Sequence, residues 1–276
     1  MASGIRCITD EAEKARKLAE TSENVPPALV ESTRRVTRLL SDFMNYVEGM
    51  ASPASGDINA IVTFTETNDW VKFGQEHSLP VMSSRMMSGR QEAQFLRLLV
   101  SMCKATRVLE IGMFTGCAAL AMAEALPSHG TVITCDIHAP LETLVRKFVD
   151  KSPHGEKIKI KIGPALETLQ GFSDEGLQFD FVFIDADKTN YKNYFKFLLD
   201  KGLLAPGGTI CCDNVLWGGN SFLPPEERDS TRGSSVHDIP EFNELVANDD
   251  RVYQVILPLR DGVSIIRRKE DVDGKK

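Results

Sequence analysis

The sequence predicts a doubly wound α/β fold: one seven-stranded sheet, mostly parallel, covered by helices on both faces and ending in a C-terminal antiparallel hairpin. Three observations predict it. From about residue 90, seven apolar runs of strand length alternate with stretches of helical periodicity. The runs are nearly continuous in apolar residues, as in Phe181-Val182-Phe183-Ile184, which suits strands buried on both faces of a parallel sheet. Only Leu259-Arg260-Asp261-Gly262 separates the last two runs, too short for a parallel crossover and right for a hairpin.

Taken in order, residues 1–85 form a polar, loosely patterned N-terminal extension of helical character. Within it, 28–50 carries Leu29, Val36, Leu39, Leu40, Phe43 and Val47 at near-helical spacing, and 52–57 reads as a turn. The first twenty residues are expected to be partly unordered. The main domain covers 86–270, and 271–276 is a polar tail. Its strands are predicted at 107–111, 131–136, 157–162, 179–185, 209–213, 253–258 and 263–268. Helices are predicted at 116–126, 140–151, 165–170, 191–201 and 239–247. The arrangement is Rossmann-like.

Bulk properties narrow the partners. The 276 residues are 42% apolar and 26% charged, ordinary for a globular protein with a sizeable core. A net charge of -7 gives no electrostatic reason to expect nucleic acid or an anionic membrane surface. No run approaches the ~20 apolar residues that span a bilayer, and the N-terminus lacks a signal-peptide core, so the expected location is the cytoplasm. The six cysteines (Cys7, Cys103, Cys117, Cys135, Cys211 and Cys212) lack CxxC spacing and read as reduced, buried side chains.

In doubly wound sheets ligands bind beyond the carboxyl ends of the strands, so candidate residues are sought there. The first strand end reads Glu110-Ile111-Gly112-Met113-Phe114-Thr115-Gly116. It lacks the middle glycine of GxGxxG, which lets the backbone approach a pyrophosphate. S-adenosylmethionine has no phosphate and suits this loop better: Gly112 leaves room, and Glu110 offers an acceptor to its ammonium. A plain structural turn is the alternative. Asp136 ends the second strand about twenty positions on, placed for the ribose hydroxyls or, alternatively, to cap the next helix. The third strand leads to Gly163-Pro164-Ala165, where a small side chain suits an adenine.

The fourth strand runs into Asp185-Ala186-Asp187-Lys188 and the fifth into Asp213-Asn214. Adjacent strands lie about 4.8 Å apart, so the Asp185 and Asp213 carboxylates converge. Two such charges repel and are costly to desolvate. A divalent cation resolves the conflict. Two carboxylates and the Asn214 carbonyl are hard oxygen ligands, suited to Mg2+ first, then Ca2+ or Mn2+. In the alternative, Asp185 caps a helix, Asp213 is solvated and Lys188 pairs with one of them.

Together, Glu110 to Gly116, Asp185-Ala186-Asp187-Lys188 and Asp213-Asn214-Val215-Leu216-Trp217 resemble the cation-dependent O-methyltransferases of the caffeoyl-CoA and catechol type, over about residues 86–268 and in the same order. The resemblance implies the architecture of class I methyltransferases, S-adenosylmethionine as donor, and a small hydroxylated acceptor. It implies that Asp185, Asp213 and Asn214 hold the metal and that Lys188 takes the hydroxyl proton. It places Glu110, Gly112, Gly116, Ala118, Asp136, Ala165, Asp185 and Asp187 around the cofactor. The lead-in Met86-Met87-Ser88-Gly89-Arg90-Gln91-Glu92 also resembles the family's, which puts Ser88 near metal or substrate and Met86 in the substrate pocket. Trp217 is expected to wall that pocket, or else to pack ordinarily with its N–H satisfied. Cys117-Ala118 stands where the family often has Tyr-Ser.

The segments Met113-Phe114-Thr115-Gly116, Ser152-Pro153-His154-Gly155, Leu223-Pro224-Pro225 and Pro258-Leu259-Arg260-Asp261-Gly262 look closer to the subgroup that methylates demethyl-4-deoxygadusol, a polyhydroxylated cyclohexenone of mycosporine biosynthesis. The resemblance also implies a homodimer. Two rival readings stand beside this one. A nicotinamide-dependent dehydrogenase is opposed by the missing glycine and the terminal hairpin. A non-catalytic cofactor-binding protein is opposed by the metal set and Lys188.

Overall fold

The computed structural model describes residues 6–274, and it has the expected sheet. The strands are β1 (Arg107–Ile111), β2 (Thr131–Asp136), β3 (Ile158–Ile162), β4 (Phe179–Ile184), β5 (Leu204–Cys212), β6 (Val252–Leu257) and β7 (Val263–Arg268). They lie in the order β3-β2-β1-β4-β5-β7-β6. β1 to β5 run parallel, and β7 is antiparallel to both β5 and β6. The direction of winding reverses between β1 and β4, the position beyond whose carboxyl ends doubly wound sheets bind ligands.

Strand side chains alternate between two apolar layers. Phe181, Phe183 and Cys211 point into a core built with α3 (Gly56–Thr67), α5 (Gly89–Met102), α6 (Cys117–Ala125) and α7 (Ala139–Val149). Leu109, Val182, Ile184, Ile210 and Cys212 point into the opposite core, with α8 (Ala165–Asp174), α9 (Tyr191–Asp200) and α10 (Ser235–Ala247). Each fully buried Leu, Ile or Phe contributes about 1.5–3 kcal/mol, which fixes the strand register and so the positions of the strand ends.

Several boundaries differ from expectation. β5 begins at Leu204, not Thr209, and passes through Pro206-Gly207-Gly208. Proline and glycine read as a loop, but an irregular register opposite Phe179 and Phe181 accommodates them. α10 starts four residues early at Ser235, with Pro240 inside it rather than in its first turn. β4 stops at Ile184, which releases Asp185 into the loop.

The N-terminal expectation of partial disorder is corrected from Arg6 onward. α1 (Arg6–Thr21) is a helix stapled by Arg16–Glu13 and Arg16–Glu20 pairs at 2.5 and 2.6 Å, spacings that stabilise a helix by a few tenths of a kcal/mol each. Residues 1–5 lie outside the described residues. α1 packs on α2 (Pro27–Met50), where Arg34 meets Glu20 at 2.6 Å. α3, capped by Ser55, and α4 (Trp70–His77) send Ile58, Ile61, Val62 and Trp70 into the same core as the sheet. This half of the extension is therefore continuous with the main domain. α11 (Lys269–Asp273) covers the start of the tail. Among the described residues no helix is long and apolar enough to cross a membrane.

Candidate active site

Most of the predicted residues lie at or just beyond the carboxyl ends of β1, β2, β4 and β5. After β1 the chain turns sharply at Gly112, where φ is +102°. A Cβ there would stand 2.0 Å from the Asp185 carbonyl oxygen, so only glycine lets this loop touch the β4 end. Gly116, at φ +78°, starts α6, and a Cβ there would meet Val145 of α7 at 2.8 Å. Ala118 follows inside α6 and is buried.

Asp136 braces this loop. One of its oxygens accepts from the N–H groups of Met113 (3.2 Å) and Phe114 (3.0 Å), the other from His138 N–H (2.9 Å). Three bonds leave one of a carboxylate's roughly four lone-pair positions open for a ribose hydroxyl. Glu110 is fully buried on the same side. One of its oxygens accepts from Thr134 Oγ1, and the other has no hydrogen-bond partner. Burial pushes its carboxyl well above the usual range. A buried acceptor without a donor fits a cationic or hydroxylated cofactor group at these strand ends. Ala165 opens α8 and is half-buried against the apolar core on that face of the sheet.

The β4 end supplies Asp185, Asp187 and Lys188. Lys188 Nζ donates to Asp185 Oδ1 and to the Tyr191 hydroxyl oxygen, both at 2.8 Å. It also lies 4.8 Å from the Tyr191 ring centre and 5.5 Å from that of Trp217. Asp187 is exposed and accepts from the Tyr194 hydroxyl and from Asn190 Nδ2, each at 2.5 Å.

Beside it, β5 ends at Cys212, opposite Ile184, and Asp213 N–H donates to the Ile184 carbonyl at 3.0 Å. Asp213 is 3% exposed. Burial first, then the Asp185 charge, push its carboxyl up to about 7, against Lys188 and Arg260. Its Oδ1 accepts from Asn214 N–H at 2.6 Å, and Asn214 takes the left-handed φ of +60° that asparagine tolerates. Among the described residues no three His, Cys, Asp or Glu side chains converge in a metal-holding group. The candidate set is instead two carboxylates and an amide. A buried Asp213 carboxylate beside the half-buried Asp185, with Lys188 paired to Asp185, fits a hard divalent cation.

In the lead-in segment Ser88 is buried at the start of α5, Met86 is 48% exposed and Met87 is buried. Trp217 Nε1–H donates to Ser235 Oγ at 3.1 Å, as the packing alternative expects, and its ring centre lies 5.5 Å from Lys188 Nζ.

Four further residues shape the site; Glu92 and Arg260 lie in segments that carry the resemblance without standing out there. Tyr191 and Tyr194 hold Lys188 and Asp187. Glu92 of α5 is fully buried, with no hydrogen-bond partner on either oxygen. Arg260 of the β6–β7 turn reaches it at 3.5 Å and donates to the Met87 carbonyl at 3.0 Å. Burial and then neighbouring Asp213 push the Glu92 carboxyl well above its usual value. The helical spacing of the lead-in, with Glu92 one turn after Ser88, was the only available signal for it.

Comparisons with known proteins point to one family. A family model described as O-methyltransferase matches residues 66–269. The chain is 38% identical over 186 residues to a caffeoyl-CoA O-methyltransferase of Eucalyptus globulus, covering 66% of this chain and 75% of that one. It is 39% identical over 190 residues to one of Zea mays, covering 66% and 70%. Among solved structures, a methyltransferase of Podospora anserina bound to SAH superposes with a TM-score of 0.71 at 26% identity, covering 84% of this chain and 96% of that one. An O-methyltransferase of Bacillus cereus in complex with SAH gives 0.65 at 27%, covering 82% and 96%.

Proposed function

Because this chain belongs to the O-methyltransferase family, we propose that it moves the methyl group of S-adenosylmethionine to a hydroxyl oxygen of a small molecule bearing two neighbouring oxygens. The observation that carries the reading is the buried Asp213 carboxylate with Asp185 close enough to raise its proton affinity, and Lys188 held 2.8 Å from Asp185.

The chain's own residues divide the work. Glu110 and Asp136 offer acceptors to the donor's amino and ribose groups, and Asp187 stands at the outer edge of that pocket. Asp185, Asp213 and Asn214 would hold a divalent cation. Such a cation, when bound, supplies positive charge that favours an ionised substrate oxygen and a neutral Lys188 amine. Lys188 Nζ takes the hydroxyl proton. The oxygen forms its bond to the methyl carbon as the sulfur–carbon bond breaks, and S-adenosylhomocysteine leaves. Holding both reactants in line can contribute about 7–11 kcal/mol.

The acceptor we favour is of the catechol or caffeoyl-CoA type, supported by the identity to plant enzymes of that name. Demethyl-4-deoxygadusol is the second candidate. It is favoured by Leu223-Pro224-Pro225 and by Arg260, whose guanidinium reaches the lead-in segment at the site. The active form is proposed to be a cytoplasmic homodimer.

The test is turnover with labelled methyl donor, with EDTA or added Mg2+, on caffeoyl-CoA, a catechol and demethyl-4-deoxygadusol. Cation-dependent labelling of any one supports the mechanism and names the acceptor class. Labelling that is unchanged in EDTA removes the cation. No labelling of any acceptor, with the donor still bound, favours a non-catalytic binding protein.

A further inference from the structure

α2 spans 24 residues and buries none of them. Its inner side, Val30, Thr33, Thr37, Leu40, Met44 and Val47, is half-buried. That side meets α1: Thr37 Oγ1 donates to the Ala12 carbonyl, and Arg34 pairs with Glu20. The neighbouring side carries Leu29, Val36, Phe43 and Met50, each seven residues after the last, with Leu39 and Tyr46 three positions after Val36 and Phe43. All six are exposed, from 48% at Val36 to 68% at Met50.

An apolar residue every seventh position, with another three later, is the seam that two helices share in a coiled coil. Over 24 residues it runs about 36 Å. Six large side chains this exposed leave several hundred Å2 of bare apolar surface, on the order of the ~800 Å2 per partner in a standard interface.

We propose that this seam packs antiparallel against the same seam of a second copy of the chain, so that the two α1–α2 hairpins form a four-helix bundle. Charge sets the direction. One flank of the seam presents Ala28, Arg35, Asp42 and Gly49. Across a two-fold axis between residues 38 and 39, each Arg35 faces the Asp42 of the other copy, and each Ala28 faces a Gly49. In a parallel pair the same flank would face Leu40 and Val47, which α1 already covers. The inference specifies the face of the homodimer proposed above and rests on no part of the methyl-transfer reading.

Sedimentation velocity on the full chain tests it. The wild type is expected to be a dimer at micromolar concentration, and Leu39→Glu/Phe43→Glu a monomer with unchanged helical circular dichroism. Arg35→Asp and Asp42→Arg alone should each weaken the dimer about 10-fold, or about 1.4 kcal/mol, and combining them should restore it. A double-glutamate variant that still dimerises overturns this face while leaving a homodimer through another. A wild type that stays monomeric overturns the proposal, including one that floats with phosphatidylcholine vesicles. Failure of the combined charge reversal to restore association overturns the antiparallel pairing.

Discussion

Replacing Asp213 by asparagine should stabilise the cation-free protein, and by more as the pH rises. In the fold the Asp213 carboxyl holds its proton up to about 7, against 3.8 for an ordinary aspartate, because of burial and then the Asp185 charge. A carboxyl whose folded value is raised contributes its full stability below the unfolded value and loses it as pH climbs through the folded one. The window here runs from about pH 4 to about pH 7. At ~1.36 kcal/mol per pH unit, the ionised side chain is about 4 kcal/mol unfavourable above it. Asparagine has the same shape, carries no charge, and can keep the bond to Asn214 N–H. Urea denaturation of both proteins in EDTA gives the comparison. The two should be equally stable near pH 4, and the variant should lead by a few kcal/mol near pH 8. Carboxyls with lowered proton affinity, such as Asp180 and Asp249, are common to both chains and cancel in the difference. Saturating Mg2+ should reverse the order at pH 8, because binding the folded state stabilises it and only the wild type keeps the full ligand set. A variant less stable than wild type near pH 8 in EDTA, or a difference that ignores pH, would refute the reasoning.

Three further outcomes are expected. Lys188→Ala should lower turnover about 100- to 10,000-fold while S-adenosylmethionine affinity stays nearly constant, as read by steady-state kinetics beside calorimetry. Gly112→Ala forces a Cβ to within 2.0 Å of the Asp185 carbonyl at a φ of +102°; it should cost about 3 kcal/mol or more in a denaturation series and weaken donor binding. Tyr194→Phe removes the 2.5 Å bond to Asp187 and should weaken donor binding about fivefold, roughly 1 kcal/mol, without changing cation affinity in the same titrations.

The parts legible in advance are those where one residue type has one reason to be where it is. Asp185 and Asp213 end nearly continuous apolar runs, so the rule that ligands bind beyond strand ends points to them from sequence alone. The same logic found Gly112. It failed where the cause is tertiary. The first residues of β5 were hidden by Pro206-Gly207-Gly208, which local propensity assigns to a loop and only pairing with β4 makes a strand. Asp136 was correctly placed at a strand end, but its use as a brace for the Met113 and Phe114 N–H groups depends on how the neighbouring loop folds back. Met86 and Met87 are adjacent in sequence and opposite in exposure, a distinction set by the turn before α5. Arg260 and Glu92 are 168 positions apart, and nothing in their local pattern announces that they meet. α1 was readable from Glu13, Arg16 and Glu20 at helical spacing, but a polar composition concealed it.

The backbone contact between Gly112 and Asp185 has a consequence for how such a molecule can diversify. With no side chain between them, the loop after β1 and the β4 end form one hub, and a substitution that moves either moves both. The stretch after Asn214 and the β6–β7 turn adjoin it through side chains instead, Trp217 beside Lys188 and Arg260 beside Glu92. A side-chain contact can be exchanged for another without moving the backbone, whereas the Gly112–Asp185 contact admits no larger residue, so variation in this region is confined to the side-chain contacts.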